Sequence, residues 1–569
     1  MENPIISFEK FSFKYNAQAK PTLYDIDLSI RPGEKILIAG PSGCGKSTLA
    51  HCINGLVPHS FAGEISGKLS IDGKDSAKLS IFDVSQVVGT VLQDSDGQFI
   101  GLTVAEDIAV ALENACVGEP ELHELVLKAA QSVNVAGHLS HAPTELSGGQ
   151  KQRVSMAGVM VDDVKVLLFD EPLANLDPAT GKQAIELIDL IQKRTGAAVI
   201  IIEHRLEDVL HRHVDRIVLM QNGRIIADEA PDSLLSSQRL KETGLREPLY
   251  LTALRYAGVE IRKDMQPWSV ESIKLSNEDV EKVRSWYKAG EKTGEKCEKE
   301  ALLKIEGLSF AYSKGHQALS DISLEINKGE VIAVVGNNGA GKSTLSKLIC
   351  GFEKPQKGRL LFEGKDLSAL SIKERADHIG YVMQNPNQMI SKVMIRDEVA
   401  LGLRTRGVGE EEIQSRVDET LKICGLWPFR SWPVSALSYG QKKRVTIASI
   451  LALRPEMIIL DEPTAGQDYR HYTEIMEFLS RLNKQGVTIV MITHDMHLML
   501  EYAQRALVIN DGRLIADSSC ADVLTNPELI RKASLKESSL YPLALRCGIE
   551  DAALFVQRFI DYERKVEGK

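Results

Sequence analysis

Two eight-residue stretches, "GPSGCGKS" from Gly40 to Ser47 and "GNNGAGKS" from Gly336 to Ser343, fit the pattern GxxxxGK[ST], each after an apolar run and before a helix-like segment. Glycines at that spacing let backbone N–H groups close around phosphate oxygens at a helix N-terminus. Gly40, Ser42, Gly43 and Gly45 would form the first cradle, with Lys46 reaching the outer phosphates, Ser47 holding magnesium and Thr48 beside it. Gly336, Asn338, Gly339, Gly341, Lys342, Ser343 and Thr344 repeat the set. Further along, "VLLF" runs into Asp170-Glu171 and "MIIL" into Asp461-Glu462. Such runs read as strands buried on both faces of a parallel sheet, whose next residues emerge at the carboxyl edge where ligands bind. Asp170 and Asp461 suit magnesium there, and Glu171 and Glu462 suit a base that polarises an attacking water. Two more strands, "AAVIII" and "VTIVMI", end in Glu203-His204 and Thr493-His494, which makes His204 and His494 candidates for a γ-phosphate contact.

The elements that must position these groups occur twice. The two lysines are 296 residues apart, the histidines 290, and "ELSGGQKQRVSMAG" returns as "ALSYGQKKRVTIAS". About five extra residues in the first copy fall in "INGLVPHSFAGEISG". "LREPLYLTALRYAGVE" echoes "LKESSLYPLALRCGIE", so each copy owns a C-terminal appendage. The expected fold is α/β, with two P-loop ATPase domains in tandem, each holding a mainly parallel sheet, a helical subdomain and an appendage. The boundaries read as 1–235, 236–276 for the first appendage, a charged linker at 277–300, then 301–525 and 526–569. The linker is read as solvated because it is dense in mixed charge and poor in apolar residues.

Composition bounds the function. The 569 residues are too many for one core. No run of eighteen apolar residues occurs, and Met1 leads straight into a strand-like segment, so a soluble, unexported chain is expected. The eight cysteines lack CxxC or metal-ligand spacing, as reduced thiols do, and Cys44 reads as a small filler of its loop. A net charge of -10 argues against an extended nucleic-acid surface.

The set resembles the ATP-binding cassette family over nearly the whole chain. The discriminating motif is "LSGGQ" at Leu146 to Gln150, with the variant "LSYGQ" at Leu437 to Gln441. The resemblance implies two cassettes closing head to tail within one chain, with ATP and magnesium as cofactors. Ser147, Gly148, Gly149 and Gln150 in one cassette, and Ser438, Gly440 and Gln441 in the other, would then meet nucleotide held by the opposite phosphate loop. Tyr15 and Tyr312 match the aromatic that stacks on adenine, and "NLD" (Asn175 to Asp177) and "GQD" (Gly466 to Asp468) match the segment coupling the two sites. Gln93 and Gln384 match the glutamine that touches magnesium and water. The substitutions Tyr439 in "LSYGQ" and Gln467 in "GQD" converge on the site built on Lys46, so the Lys342 site is expected to carry most turnover.

The stretch "QDSDGQFIGLTVAEDIAVALEN" resembles the Q-helix region of energy-coupling-factor transporters. Asp94 and Ser95 replace an Asn-Pro there, while the second copy keeps "QNP" but departs after it. That likeness implies a fused A-A′ pair that energises a vitamin or transition-metal importer. It would lie peripherally on the cytoplasmic face of the cell membrane, bound to a transmembrane coupling subunit beside a separate membrane substrate-binding subunit. Val104, Ile108 and Leu112 form a stripe at helical spacing, read here as a groove for a partner's helix. The alternative is a soluble tandem cassette ATPase acting on ribosome or nucleic acid, whose basic linker is not matched by the seven acids and six bases of 277–300. Sugar-importer ATPases, a third reading, usually show a degenerate catalytic site, whereas both glutamates and both histidines are present here.

Overall fold

Lys35–Ala39 and Val331–Val335, buried five-residue strands of Ile, Val, Leu and Ala apart from the leading Lys35, each sit inside a six-stranded sheet. A computed structural model describes residues 3–92, 97–162, 164–173, 176–289, 300–312, 317–463 and 469–567. The chain divides into two units, Met1–Lys282 and Val283–Lys569.

In the first unit the sheet order is Arg224–Glu229, Arg216–Gln221, Lys35–Ala39, Ala198–Ile202, Val166–Asp170, Val88–Val91. All neighbours are parallel except the outermost hairpin, Arg216–Gln221 with Arg224–Glu229. The second unit repeats this with Ile379–Val382, Met457–Asp461, Thr488–Ile492, Val331–Val335, Arg505–Asn510 and Arg513–Ser519. Parallel strands buried on both faces need continuous apolar runs, which is why "VLLF" and "MIIL" carry no alternation. By contrast Leu23–Ile30, in a four-stranded antiparallel sheet, alternates buried and exposed residues, because only one of its faces is covered. That face supplies Phe8, Phe11, Phe13 and Ile26 to a core shared with Ile36 and Ile38 of the parallel sheet and Leu49 and Ile53 of the helix Lys46–Ile53. The phosphate-loop helix is thus held between two sheets, and its N-terminus is fixed.

A separate helical layer packs Val104–Asn114 on Glu119–Ser132 and Gly148–Met160, with a second copy in Ile395–Arg404, Glu410–Ile423 and Tyr439–Leu451. Here the structure corrects the stripe reading. Val104 and Ile108 are 0% exposed and Leu112 3%, so they form the core of this layer and not a groove. Three short helices carrying the signature need an apolar core of their own, and that stripe supplies it.

The charged segment also differs from the solvated linker expected. Asn277–Ala289 is a helix, started by Ser276, which exchanges hydrogen bonds with Asp279, and braced by the Glu278–Lys282 pair. Val283 is 1% exposed, and the Trp286 ring meets Phe555 and Tyr562 of the helix Ala552–Glu567 edge-on at 5.7 Å. Three apolar residues at helical spacing, Val283, Trp286 and Tyr287, outweigh the surrounding charge. Residues 290–299 lie outside the described ones.

Candidate nucleotide-hydrolysis site

Each phosphate loop leaves the end of its central strand and turns directly into a helix, Lys46–Ile53 or Lys342–Cys350. Gly45 and Gly341 are the helix N-caps, with φ of 106° and 103°, a left-handed turn that aims the first helical N–H groups at the loop's mouth. A side chain on Gly40 would meet the Met220 carbonyl at 2.4 Å, and one on Gly336 the Ile509 carbonyl at 1.9 Å, so both loops press against the adjacent strand. Ser42, Gly43 and Ser47 are exposed, as are Asn338, Gly339 and Ser343, whereas the lysine and threonine between them are buried. Lys46 Nζ donates to the Gly40 and Pro41 carbonyls at 2.7 and 2.9 Å, and Lys342 Nζ to those of Gly336 and Asn337 at 2.8 Å each. An ammonium curled into its own loop, at a helix N-terminus, is built to take a phosphate oxygen in exchange for those carbonyls.

The strand ends bring the acids to the same place. Asp461 Oδ2 accepts from Ser343 Oγ at 3.3 Å and from the Tyr381 hydroxyl at 3.0 Å. Asp170 sits beside Ser47 and Lys46; burial and then the Glu171 charge push its carboxyl up to about 6, and Oδ1 has no hydrogen-bond partner. Asp461 is likewise raised by burial. A buried carboxylate with an orphaned oxygen next to a serine hydroxyl fits a divalent cation, so the residues present suit magnesium. Glu171 and Glu462, one residue on, both have left-handed backbones, φ 47° and 45°, and each N–H is pinned to the neighbouring strand, at Ile202 O and Ile492 O, at 2.9 Å. Strain of that kind persists only where the surroundings impose it, and it clusters at functional sites.

His494 Nδ1 lies 2.8 Å from Glu462 Oε1. His204 is arranged differently: its Nδ1 is 3.1 Å from Glu203 Oε1 and 3.9 Å from Glu171 Oε1. Glu203 is fully buried, its Oε1 accepts the His204 and Arg205 N–H groups at 2.9 and 3.2 Å, and its Oε2 has no partner.

Ser147 caps the helix Gly148–Met160 in a reciprocal pair with Gln150, and Ser438 does the same with Gln441. The signature's glutamine oxygen is therefore spent on capping, while the first-turn N–H groups, at Gly148 and Gly149 or at Tyr439 and Gly440, start the helix. The Tyr15 and Tyr312 hydroxyls sit 3.1 and 3.3 Å from Thr48 and Thr344 Oγ1, which ties both rings to the phosphate-loop helices. Gln384 is described and Gln93 is not; Asn175, and Gly466 to Asp468, also fall outside the described residues.

Several residues at the site were not singled out from sequence. Tyr381, Lys443 and the carboxylate of Glu203 are visible only as differences between the copies, against Thr90, Gln152 and Thr493. Ile100 and Leu102 lay inside the quoted stretch without periodicity to mark them.

A pair of P-loop sites with signature helices defines an ATPase of the cassette class. The family model described as ABC transporter matches residues 23–174 and 319–465, and one described as ATP-binding cassette cobalt transporter matches 237–310. An ABC transporter ATP-binding protein of Clostridium perfringens is 60% identical over 98% of both chains, and one of Enterococcus faecalis is 57% identical over the full length of both. The solved structure of cbiO1 from Clostridium perfringens, part of the ABC transporter complex cbiONQ, is 37% identical, covers 43% of this chain and 99% of its own, with a TM-score of 0.39. The chain belongs to the ABC transporter family as a tandem ATP-binding protein, and such proteins are ATPases.

Proposed function

We propose that this protein is the energising subunit of an importer of the energy-coupling-factor type, taking up a vitamin or a transition-metal ion, and that it acts from the cytoplasmic face of the membrane. No helix among the described residues is long and apolar enough to cross a membrane. The match of 237–310 to a model described as a cobalt transporter's ATP-binding cassette supports the metal or vitamin class.

The observation that carries the reading is the loop ahead of Val104–Asn114. Asp107 Oδ1 accepts the Ile100 and Gly101 N–H groups at 2.9 and 3.1 Å, and Glu106 Oε2 accepts those of Leu102 and Thr103 at 2.8 and 3.2 Å. Gln98 fastens the loop's entry to the strand Val88–Val91, through Leu92 N at 3.1 Å and Thr90 O at 3.2 Å. So held, the loop presents Ile100 at 78% and Leu102 at 82% exposure. Two large apolar side chains on a backbone locked by carboxylates suit a partner's apolar helix, and we assign them the transmembrane coupling subunit. A separate membrane subunit would bind the substrate.

At the catalytic centres, Lys46 and Lys342 with their loops hold ATP phosphates, and Tyr15 and Tyr312 offer rings to adenine. Glu171 and Glu462 take the proton of the attacking water, with His204, His494, Gln93 and Gln384 positioning water and γ-phosphate. Magnesium held by Ser47 and Asp170, or by Ser343 and Asp461, with Gln93 or Gln384, would neutralise phosphate charge.

The test is fractionation of cells that carry the transporter's own genes. The pair Ile100→Asp and Leu102→Asp should move the chain from membranes to supernatant and leave ATP binding intact, because a carboxylate desolvated in an apolar contact is costly. Unchanged membrane association of the double variant would refute the assignment.

A further inference from the structure

The helix Tyr439–Leu451 buries a lysine that the hydrolysis scheme does not use. Lys443 is 1% exposed, and all the groups it donates to are main-chain carbonyls: Met383 O at 2.7 Å, Gln384 O at 2.8 Å, Asp461 O at 3.4 Å and Glu462 O at 3.5 Å. An ammonium has three N–H bonds, so two point at the first pair and the third is shared by the second. Ile379–Val382 and Met457–Asp461 are adjacent parallel strands, and these carbonyls lie where the chain leaves them. Lys443 therefore bridges the point at which the backbones carrying Gln384 and Glu462 part.

Two neighbours on the same helix reinforce the link. The Tyr439 hydroxyl donates to Gln384 O at 3.2 Å, and Lys442 Nζ to Asn387 Oδ1 at 3.4 Å. Tyr439 and Lys443 are four residues apart and share a helix face, so the tyrosine in "LSYGQ" is part of this attachment. Burying an amine is unfavourable, and burial pulls Lys443 down to about 8, although the Asp461 and Glu462 charges oppose that shift. A packed apolar side chain would be the more stable choice for the fold alone. Gln152 occupies the matching place in the first copy, and its amide donates to the carbonyl of Pro172, the residue after Glu171.

We propose that Lys443 is a positioning residue of the second catalytic centre, which fixes the backbones of Gln384 and Glu462 relative to each other and to the signature helix. The proposal rests on Glu462 being the base, so Glu462→Gln is measured alongside. ATP turnover, KM and equilibrium ATP binding are read for the full chain carrying Lys443→Met, and for Lys443→Gln, whose residue the first copy's fold accepts. A misplaced reacting group costs on the order of tenfold to a hundredfold in rate. Both variants should lose about tenfold or more in kcat, with KM and ATP affinity within about twofold of wild type, Met losing more than Gln. Turnover within about twofold of wild type in either folded variant would overturn the role, as would a loss that appears equally in ATP affinity. If Glu462→Gln alone keeps wild-type turnover, the assignment of the base is what fails.

Discussion

The two catalytic centres share a plan and differ in how tightly it is tied down. At the second, Glu462 has His494 at 2.8 Å, Asp461 has the Tyr381 hydroxyl at 3.0 Å, and Lys443 ties the strand ends together. At the first, His204 leans to Glu203 and stands 3.9 Å from Glu171, and Asp170 keeps an orphaned oxygen. Thr90, at the place of Tyr381, also has a buried hydroxyl without a partner. A third buried carboxylate, Glu203, crowds the first centre, where the second has Thr493, whose hydroxyl caps Asp495 N at 3.0 Å. The same sheet can thus hold the glutamate at a strand end beside the histidine of the next strand, or divert that histidine to a neighbour. We conclude that the second centre is the better organised for hydrolysis.

Removing what the second centre has alone should level the two. Tyr381→Phe deletes the hydroxyl that supports the Asp461 anion. Hydrogen bonds to charged groups contribute about 1.5–3 kcal/mol, so ATP turnover should fall roughly tenfold. Steady-state assays over a magnesium titration read this directly, and a fall of less than about twofold would show that the hydroxyl does not support Asp461. A smaller effect is expected from Glu203→Thr, which gives the first centre the second's residue. It removes an unpaired buried carboxylate oxygen, whose desolvation costs about 1–3 kcal/mol, so the melting temperature should rise. His204 would be freed to approach Glu171, and turnover should rise about twofold. Lower stability in the folded variant would mean that the carboxylate's bonds to the His204 and Arg205 N–H groups outweigh its unpaired oxygen.

Much of the fold was legible because its signals are local and doubled. Glycine spacing, apolar strand runs and Asp-Glu pairs each marked an element twice, and Asp170 lies beside Lys46 as Asp461 does beside Ser343. What sequence missed needs three dimensions. The stripe Val104, Ile108, Leu112 has the period of either a groove or a core, and only packing against Gly148–Met160 and Glu119–Ser132 decides for core. Ile100 and Leu102 have no period, because they are displayed by side-chain carboxylates from the next helix. The segment from Asn277 looked like a solvated linker because its apolar residues are few, yet Val283, Trp286 and Tyr287 fall on one face. Glu203 and Lys443 stood in plain view as differences between copies, but the first is marked by its burial beside Asp170 and the second by carbonyls at the ends of two strands.

The unequal centres are tested most directly by comparing Glu462→Gln with Glu171→Gln in steady-state ATP hydrolysis by the full chain. Removing a positioned base costs about 10²–10⁴-fold at its own centre. If the second centre carries most turnover, Glu462→Gln should nearly abolish hydrolysis while Glu171→Gln keeps the larger part of it. The reverse order, with Glu171→Gln nearly inactive and Glu462→Gln close to wild type, would contradict the account.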